Sequence, residues 1–483
     1  MKNKSRREFL GQASCAGLGY LTFMNTLLNL RGVNASAISN SSVADANDYR
    51  AIVCILLAGG NDSYNMLVPY DTTEHQHYVT ARSGLYTDGG SGLAIPRNML
   101  QNTKLDFSQG NREWALHPSM AGVKDLFDNK QAALLANIGT LLQPTTVANY
   151  DNEVKLPVGL FSHSDQIEEW QTGMPGKRAL KGWGGRMADM IQDCNTNQRI
   201  SMNLSLSGTN VWQQGNKTVE YAIDGTNGAV AITDYDNESS GFLQQVRTEA
   251  INSMLANEYK NIFKRTYNDV VGSAVDGFLE FNTALENSIQ FDPTDFPDTP
   301  LGRSLQMIAR TIDVRNTLGF KRQTFFITVG GWDHHDEVID RQNGMLAMVS
   351  QALSAFQAAL APGKVNMEDN VVTMMISEFG RTLTSNGNGS DHAWGGNTLV
   401  LGGPNLVDGG TIYGAYPTMS EANPDPKRIN RGRFIPGLST DEYFAEIARW
   451  FGVPNSELSM LFPNIGEFYD TNSSTHPIGF LKV

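Results

Sequence analysis

Short, continuous apolar runs dominate the hydrophobic pattern of this chain. In each run apolar side chains fall on both faces, which is typical of a strand buried in a parallel sheet between two layers of helices. A half-exposed strand would instead alternate apolar and polar positions. The predicted strands cover Ala51–Ala58, Ala132–Ile138, Gln323–Val329, Asn370–Ile376 and Thr398–Leu401.

Between these runs, apolar positions recur with the spacing of amphipathic helices. Ser304–Leu318 and Arg341–Ala361 each carry an apolar stripe at intervals of three and four residues. A third helix is predicted to run from Thr440 through Trp450, and Gly452 is predicted to stop it. Strands that alternate with helices predict an α/β fold, here a three-layer α/β/α sandwich with a mostly parallel central sheet.

Polar stretches interrupt this alternation in two places. Residues 71–114 have a glycine-rich centre, and residues 207–241 are rich in Asn, Thr, Gly and Ser. We interpret both as polar insertions in one α/β domain that covers residues 38–483.

The N-terminus has the pattern of an export signal. The pair Arg6-Arg7 precedes a Phe-Leu dipeptide and a weakly apolar stretch, which ends at an Ala-Ser-Ala tripeptide at 35–37. We predict that residues 1–37 are a twin-arginine signal read by the twin-arginine translocase, which places the protein in the periplasm or outside the cell. The alternative is a basic N-terminal helix of a cytosolic protein. We expect no membrane span in the mature protein, because no other segment approaches the ~20 apolar residues required.

Charge argues against one class of partner. The chain has 483 residues and a net charge of -13. Nucleic acid requires a basic protein surface, so we expect no nucleic-acid partner. An anionic small molecule is still compatible with this charge, because a bound metal can dominate the local field.

Acidic groups follow three of the predicted strands, and a glycine-rich loop at 386–396 adds an Asp-His pair. In open α/β sheets, ligands bind beyond the carboxyl ends of the strands. Carboxylate and imidazole donors without thiolate suit one or two divalent ions of zinc, manganese or calcium. Carboxylates at this density would repel one another without a cation. The alternative is that each acid caps a helix and the histidines lie on the surface. The predicted metal ligands are Asp62, Asp333, His335, Glu378, Asp391 and His392.

The segment Phe161–Gln166 contains a candidate nucleophile ahead of a predicted helix. Ser162 or Ser164 either caps that helix or attacks a substrate with the help of a metal. Backbone N–H groups at the start of the helix would favour an anion there. Arg381 either grips an oxyanion or pairs with Glu378.

Together these motifs resemble a large family of twin-arginine-exported proteins that is known only as a domain of unknown function. That family is grouped with the alkaline phosphatase and sulfatase superfamily. The resemblance covers nearly the whole chain. The matching stretches are residues 56–69, 115–120, 161–173, 182–189, 330–336 and 377–396.

The resemblance implies roles for individual residues. Asp62 would bind one metal, and Asp333 with His335 would bind the other. Ser162 would be the nucleophile, with Ser164 as the second choice. A final metal-binding histidine in a glycine-rich loop is matched by His392.

One position departs from the superfamily pattern. Where other members have an Asp-His pair, this chain reads Glu378-Phe379, so we expect the second metal to be either weakly held or absent. His163 or His334 is a candidate for the missing imidazole. Formylglycine sulfatases also need a Cys or Ser in a C/S-x-P-x-R context, which neither Cys54 nor Cys194 has.

The sequence therefore predicts an exported metal-dependent hydrolase of phosphate or sulfate esters. Metals would polarise the ester and deprotonate Ser162, and Arg381 would steady the equatorial oxygens. The expected substrate is a small anionic ester that carries phosphate or sulfate. The alternative is a non-catalytic exported scaffold or surface-assembly protein that retains the superfamily fold.

Overall fold

A computed structural model describes residues 48–150, 154–230, 235, 241–257 and 260–482. The predicted signal at residues 1–37 lies outside the described residues. The strands are β1 (Arg50–Leu57), β2 (Leu67–Pro69), β3 (Lys104–Gln109), β4 (Arg112–Leu116), β5 (Ala132–Gly139), β6 (Asn203–Ser205), β7 (Tyr221–Asp224), β8 (Gly228–Ala229), β9 (Arg322–Val329), β10 (Val371–Ile376), β11 (Gly396–Leu401), β12 (Ile412–Tyr413), β13 (Arg428–Ile429), β14 (Arg433–Phe434) and β15 (Leu438–Ser439).

Helices lie between most of the longer strands. The α-helices are Ser63–Met66, Thr72–Ala81, Ala121–Asp128, Val147–Tyr150, His163–Thr172, Trp183–Ile191, Phe242–Leu255, Ile262–Glu286, Pro300–Asp313, Val338–Leu360, Thr440–Phe451 and Leu458–Leu461. Among the described residues, no helix combines the length and the apolarity needed to cross a membrane.

Within the described chain, ten strands form the central sheet in the order β12-β5-β11-β10-β1-β9-β6-β7-β8, with β15 also paired to β5. The strands β10, β1, β9 and β6 run parallel to one another. The central strand β1 is buried along almost its whole length, from Ala51 to Leu57. This mixed α/β architecture, with a mostly parallel sheet flanked by helices, confirms the predicted fold class.

The flanking helices form two packed groups. Ala121–Asp128 and Pro300–Asp313 both pack against Val338–Leu360. In the second group, Thr440–Phe451 packs against β1 and Leu458–Leu461. The last long helix begins and ends as its sequence predicts, because Ser439 and Glu442 form a capping box and Gly452 is its C-cap.

One strand runs against the predicted direction. β11 is antiparallel to both of its neighbours, β10 and β5. Its side chains are buried throughout, like those of the parallel strands. A continuous apolar run reports burial on both faces and not strand direction, so the sequence could not distinguish the two cases.

The stretch at 71–114 is folded. It contains the helix Thr72–Ala81, the strand β3 and most of β4. β4 pairs with both β2 and β3 in a separate three-stranded sheet. The described part of the stretch at 207–241 supplies β7 and β8, which extend one edge of the central sheet.

Candidate metal centre

Three strand ends bring the acidic residues to one edge of the sheet. β10, β1 and β9 are parallel neighbours, so Glu378, Asp62 and Asp333 follow them at the same edge. β11 is antiparallel to β10, and the loop that precedes it therefore starts from that edge too. This loop carries Asp391 and His392.

Gly59 allows two of these strand ends to approach closely. Its φ is +126°, and a Cβ there would lie 2.4 Å from the backbone nitrogen of Asp333. Its own N–H donates to Glu378 Oε1 at 2.7 Å. A residue with a side chain would push the Asp333 backbone away, so glycine sets the separation between the ends of β1 and β9.

A histidine–aspartate cluster, formed by His163, Asp333, His335 and His392, lies at this edge. His163, Asp333 and His392 each offer one donor atom, and these atoms lie within 4.8 Å of one another. His163 Nε2 is 3.4 Å from Asp333 Oδ2, and His392 Nε2 is 3.4 Å from Asp333 Oδ1. His335 Nε2 is 3.0 Å from Asp333 Oδ1 and 3.0 Å from His392 Nε2.

The second ring nitrogen of each imidazole is held from behind. His163 Nδ1 contacts Glu378 Oε1 at 2.8 Å, and His335 Nδ1 contacts Asp391 Oδ1 at 3.0 Å. His392 Nδ1 donates to the carbonyl oxygen of Phe161 at 2.8 Å. Metal-binding histidines are held in this way, because a carboxylate or carbonyl on one nitrogen fixes the tautomer and turns the other nitrogen inward.

Phe161 places its carbonyl through an unfavourable backbone conformation. Its φ is 72°, in the left-handed region that a bulky residue seldom adopts. Such a conformation costs on the order of 1–3 kcal/mol and persists only where the surroundings impose it. Here its N–H donates to Gln166 Oε1 at 2.8 Å while its carbonyl accepts from His392.

The donor set of the cluster fits a divalent cation. Ligand atoms about 2.1 Å from a tetrahedral ion lie about 3.4 Å apart. The distances from His163 Nε2 and His392 Nε2 to the Asp333 carboxylate are both 3.4 Å. His163 Nε2 is buried and has no hydrogen-bond partner. Asp333 Oδ2 lies 3.4 Å from this nitrogen without forming a hydrogen bond to it, and a cation bound between the two atoms would satisfy both.

Arginine offsets the negative charge around the cluster. Arg82 pairs with Asp62 at 2.5 Å, Arg381 pairs with Asp333 at 2.9 Å, and Arg431 pairs with Asp391. The repulsion that the sequence predicted for these carboxylates is therefore relieved within the protein. The case for a metal rests on the histidines instead.

The six predicted ligands take three different places. Asp333, His335 and His392 belong to the cluster. Glu378 and Asp391 lie behind it and orient its imidazoles. Asp62 is fully buried, and its Oδ2 also accepts from Ser390 Oγ at 3.0 Å, so the structure places it apart from the cluster.

Arg381 is completely enclosed. Besides Asp333, it donates to the carbonyl oxygens of Gly59 at 3.0 Å and Ser390 at 3.1 Å. No contact with Glu378 is among these bonds. Its guanidinium therefore fixes Asp333 relative to the strand ends.

The two candidate serines open the helix His163–Thr172. Ser162 occupies the N-cap position, but its side chain makes no cap hydrogen bond. Its Oγ lies 3.3 Å from Ser164 Oγ. Hydrogen bonding from Ser162 and then from Arg178 lowers the pKa of the Asp165 carboxyl. Ser164 is exposed.

His334 and His335 point to different surroundings. His334 is 2% exposed, and its ring lies near that of Trp332. Burial lowers its pKa and so favours the neutral ring. Of the two adjacent histidines, only His335 belongs to the cluster.

The pKa values of the ionisable groups in the cluster are shifted in different directions. The hydrogen bond to Glu378 raises the pKa of His163. Burial lowers the pKa of His392. Burial would raise the pKa of the Asp333 carboxyl, but the hydrogen bond and charge of Arg381 outweigh it and the pKa is lowered.

The family to which the chain belongs is shown by comparison with known protein families. The profile of a family described as a protein of unknown function, DUF1501, matches residues 49–430. The chain belongs to the DUF1501 family. No match was found among curated protein sequences.

Several solved structures are similar to this DUF1501 protein over most of its length. Ps i-CgsB in complex with k-i-k-neocarrahexaose has a TM-score of 0.33 at 10% identity, over 87% of this chain and 77% of that one. The PsFucS1 sulfatase from Pseudoalteromonas sp. has a TM-score of 0.34 at 9% identity, over 89% and 74%. The alkaline phosphatase PafA has a TM-score of 0.26 at 14% identity, over 70% and 64%. Scores this low carry no argument about chemistry, which must come from the chain's own residues.

Sequence reasoning missed three contributors to the site of this DUF1501 protein. Arg82 lies in the helix C-cap after Ala81, and Arg431 lies in a turn between two short strands. The third is the backbone carbonyl of Phe161. The two arginines had no signal in sequence, because their carboxylate partners are 20 and 40 positions away.

Proposed function

We propose that this chain is an exported metal-dependent hydrolase of phosphate or sulfate esters. One observation carries the proposal. His163, Asp333 and His392, from three separate segments, each offer a donor atom, and these atoms lie within 4.8 Å of one another. Orienting partners lie behind both imidazoles. This convergence with second-nitrogen support is the usual arrangement of metal-binding histidines.

His163, Asp333 and His392 would hold the cation, and His335 is close enough to join them. When bound, a divalent cation supplies Lewis-acid polarisation of an ester oxygen. Two imidazoles and a carboxylate are also the donor set of many catalytic zinc sites, which leave a position for the substrate.

The surrounding residues would keep the donors rigid. Arg381 fixes Asp333 from within the protein, so Asp333 cannot turn away when an anion enters. The Phe379 ring lies 4.9 Å from the His163 ring and 4.8 Å from the His392 ring. It shields one side of both imidazoles from water, which strengthens electrostatic interactions there.

Ser162 remains our proposed nucleophile, with Ser164 as the second choice. It directly precedes His163 and follows Phe161, which His392 contacts. Its N-cap position places it where helix N–H groups favour negative charge. The substrate would be a small ester bearing phosphate or sulfate, met after export by the twin-arginine translocase to the periplasm or beyond.

One observation favours the second candidate, a non-catalytic exported scaffold. Among the described residues, the hydrogen bonds of His163, His335 and His392 include no serine hydroxyl. Ser162 therefore has no histidine base in this arrangement. A scaffold could retain the cluster as a structural metal site.

The test combines metal content with turnover. We expect purified protein to contain about one equivalent of zinc, manganese or calcium, and His163→Ala to lose it. His77→Ala is the matched control, because His77 lies on the separate helix Thr72–Ala81. Elemental analysis and chromogenic phosphate and sulfate esters provide the two measurements.

Two variants separate the hydrolase from the scaffold. Ser162→Ala should abolish turnover with the metal retained. It should change the free energy of unfolding by less than about 1 kcal/mol, since the Ser162 side chain makes no hydrogen bond to the helix backbone and, among the described residues, is hydrogen-bonded only to the side chains of Ser164 and Asp165. Metal that is bound without any turnover, in wild type and Ser162→Ala alike, would support the scaffold. Protein that binds no metal would refute the proposed site.

A further inference from the structure

Two long helices pack on each other and have few buried residues. Phe242–Leu255 and the first half of Ile262–Glu286 pack on each other, and Asn268 Nδ2 donates to the carbonyl oxygen of Leu255 at 3.0 Å. The buried side chains of the longer helix lie in its second half, from Val275 to Leu285. In the described part of the chain, the longer helix is therefore anchored mainly through its second half.

Large apolar side chains are concentrated on this helix pair. Of the 16 such side chains exposed among the described residues, nine lie on these two helices. Phe263 is 82% exposed and Phe242 is 76% exposed. Isolated exposed apolar residues are ordinary, but a concentration of them marks an interaction surface.

The exposed residues follow the helical repeat. Leu243, Val246 and Met254 lie on one stripe of the first helix. Phe263 and Tyr267, spaced by four residues, begin a similar stripe on the second. A stripe of this kind normally packs against another helix.

The exposed apolar area is large enough for a stable interface. We take the three aromatic and five aliphatic exposed side chains between residues 242 and 270. Together they expose on the order of 800 Å². Each partner in a standard protein interface contributes about 800 Å², whereas the largest apolar patch on a monomer is usually about 300–600 Å².

The charge of this segment favours a second copy of the chain over a membrane as the partner of the exposed apolar surface. Residues 241–274 carry four Lys and Arg and three Asp and Glu, whereas the whole chain has a net charge of -13. An almost neutral segment gives little attraction to an anionic membrane. Two copies of this acidic chain, however, would meet through this segment with little charge repulsion.

We propose that the helix Phe242–Leu255 and the first half of the helix Ile262–Glu286 dock onto the same segments of a second copy, forming a four-helix interface in a two-fold dimer. In a two-fold interface the same patch is used by both subunits, so one apolar surface that carries both signs of charge can complement itself. This inference does not depend on the proposed hydrolase.

Sedimentation equilibrium of the full chain tests the proposal. The wild type should be a dimer at micromolar concentration. Phe263→Glu/Tyr267→Glu should raise the dimer dissociation constant at least about 100-fold, because it places charge in an apolar contact. Leu180→Glu is the matched control, since Leu180 is 80% exposed but lies outside both helices, and it should leave the dimer intact.

Three results would overturn the proposal. A monomeric wild type would show that no second copy covers the helices. A double variant that still dimerises as tightly as the Leu180→Glu control would place the interface elsewhere. Monomeric protein that sediments with phosphatidylglycerol vesicles, and loses this binding in the double variant, would assign the surface to a membrane. Circular dichroism would verify that the variants are folded, which is expected because the substituted side chains are exposed.

Discussion

Glu169 makes the stability of the protein depend on pH. It lies on the helix His163–Thr172, which also carries His163 into the histidine–aspartate cluster. Its carboxyl is buried and accepts a hydrogen bond from Thr140 Oγ1 at 2.9 Å. Burial raises its pKa to about 9, and the Thr140 hydrogen bond opposes this only in part.

The raised pKa determines the sign of the effect. In the unfolded chain the pKa of glutamate is about 4.3, so between that value and about 9 the folded protein holds a proton that the unfolded chain releases. The stabilisation from the protonated Glu169 carboxyl is therefore fully present below the pKa of the unfolded chain. It is lost as pH rises from that value through the pKa of the folded state. One such group contributes a slope of up to about 1.4 kcal/mol per pH unit.

The substitution Glu169→Gln should remove this slope. Glutamine is neutral at every pH, and its amide oxygen can still accept from Thr140. The free energy of unfolding would be measured by urea denaturation at several pH values between about 5 and about 9. We expect wild type to lose stability relative to Glu169→Gln as pH rises, by about 1 kcal/mol per unit or more.

A control separates Glu169 from other titrating groups. Glu467→Gln changes an exposed carboxylate and should leave the slope of wild type unchanged. If the stability curves of wild type and Glu169→Gln run parallel across this range, Glu169 is ionised in the folded state and the reasoning from burial is wrong.

Three other substitutions test separate features. Glu378→Gln should weaken metal binding about 10–100-fold in a chelator competition, because His163 loses its charged partner; unchanged affinity would contradict that role. Gly59→Ala should lower the free energy of unfolding by more than about 2 kcal/mol, as its Cβ meets Asp333; a urea midpoint like that of wild type would refute it. Glu446→Ala removes the acceptor of three backbone N–H groups at 478–481, so proteases should cleave the C-terminal residues of the variant faster than those of wild type. Equal cleavage rates would show that these hydrogen bonds do not hold the segment in place.

Much of the fold could be predicted from the sequence, because buried strands and helices have a recognisable pattern of apolar residues along the chain. The strands at Ala51–Ala58 and Gln323–Val329 are found at Arg50–Leu57 and Arg322–Val329. The helix predicted at Arg341–Ala361 is Val338–Leu360. Apolar runs and periodicities depend on neighbouring residues alone, so they survive without knowledge of the rest of the chain. The direction of β11, by contrast, cannot be read from its pattern of apolar residues.

The candidate site could be predicted only in part. Asp333, Glu378 and His392 follow strands or precede one, and that position marked them. The role of each was decided by contacts across the chain. Glu378 is turned toward His163, 215 positions earlier, and so supports a donor instead of acting as one.

The sequence alone determined which residue types reach the edge of the sheet, because strands that end in acids and imidazoles are a local pattern. Only the tertiary structure decided which of them meet. In the folded chain His163 lies next to Asp333 and His392, whereas Asp62 is buried in an ion pair with Arg82. The physical reason is that hydrogen bonds and ion pairs form between atoms about 3 Å apart, and separation along the chain does not specify that distance.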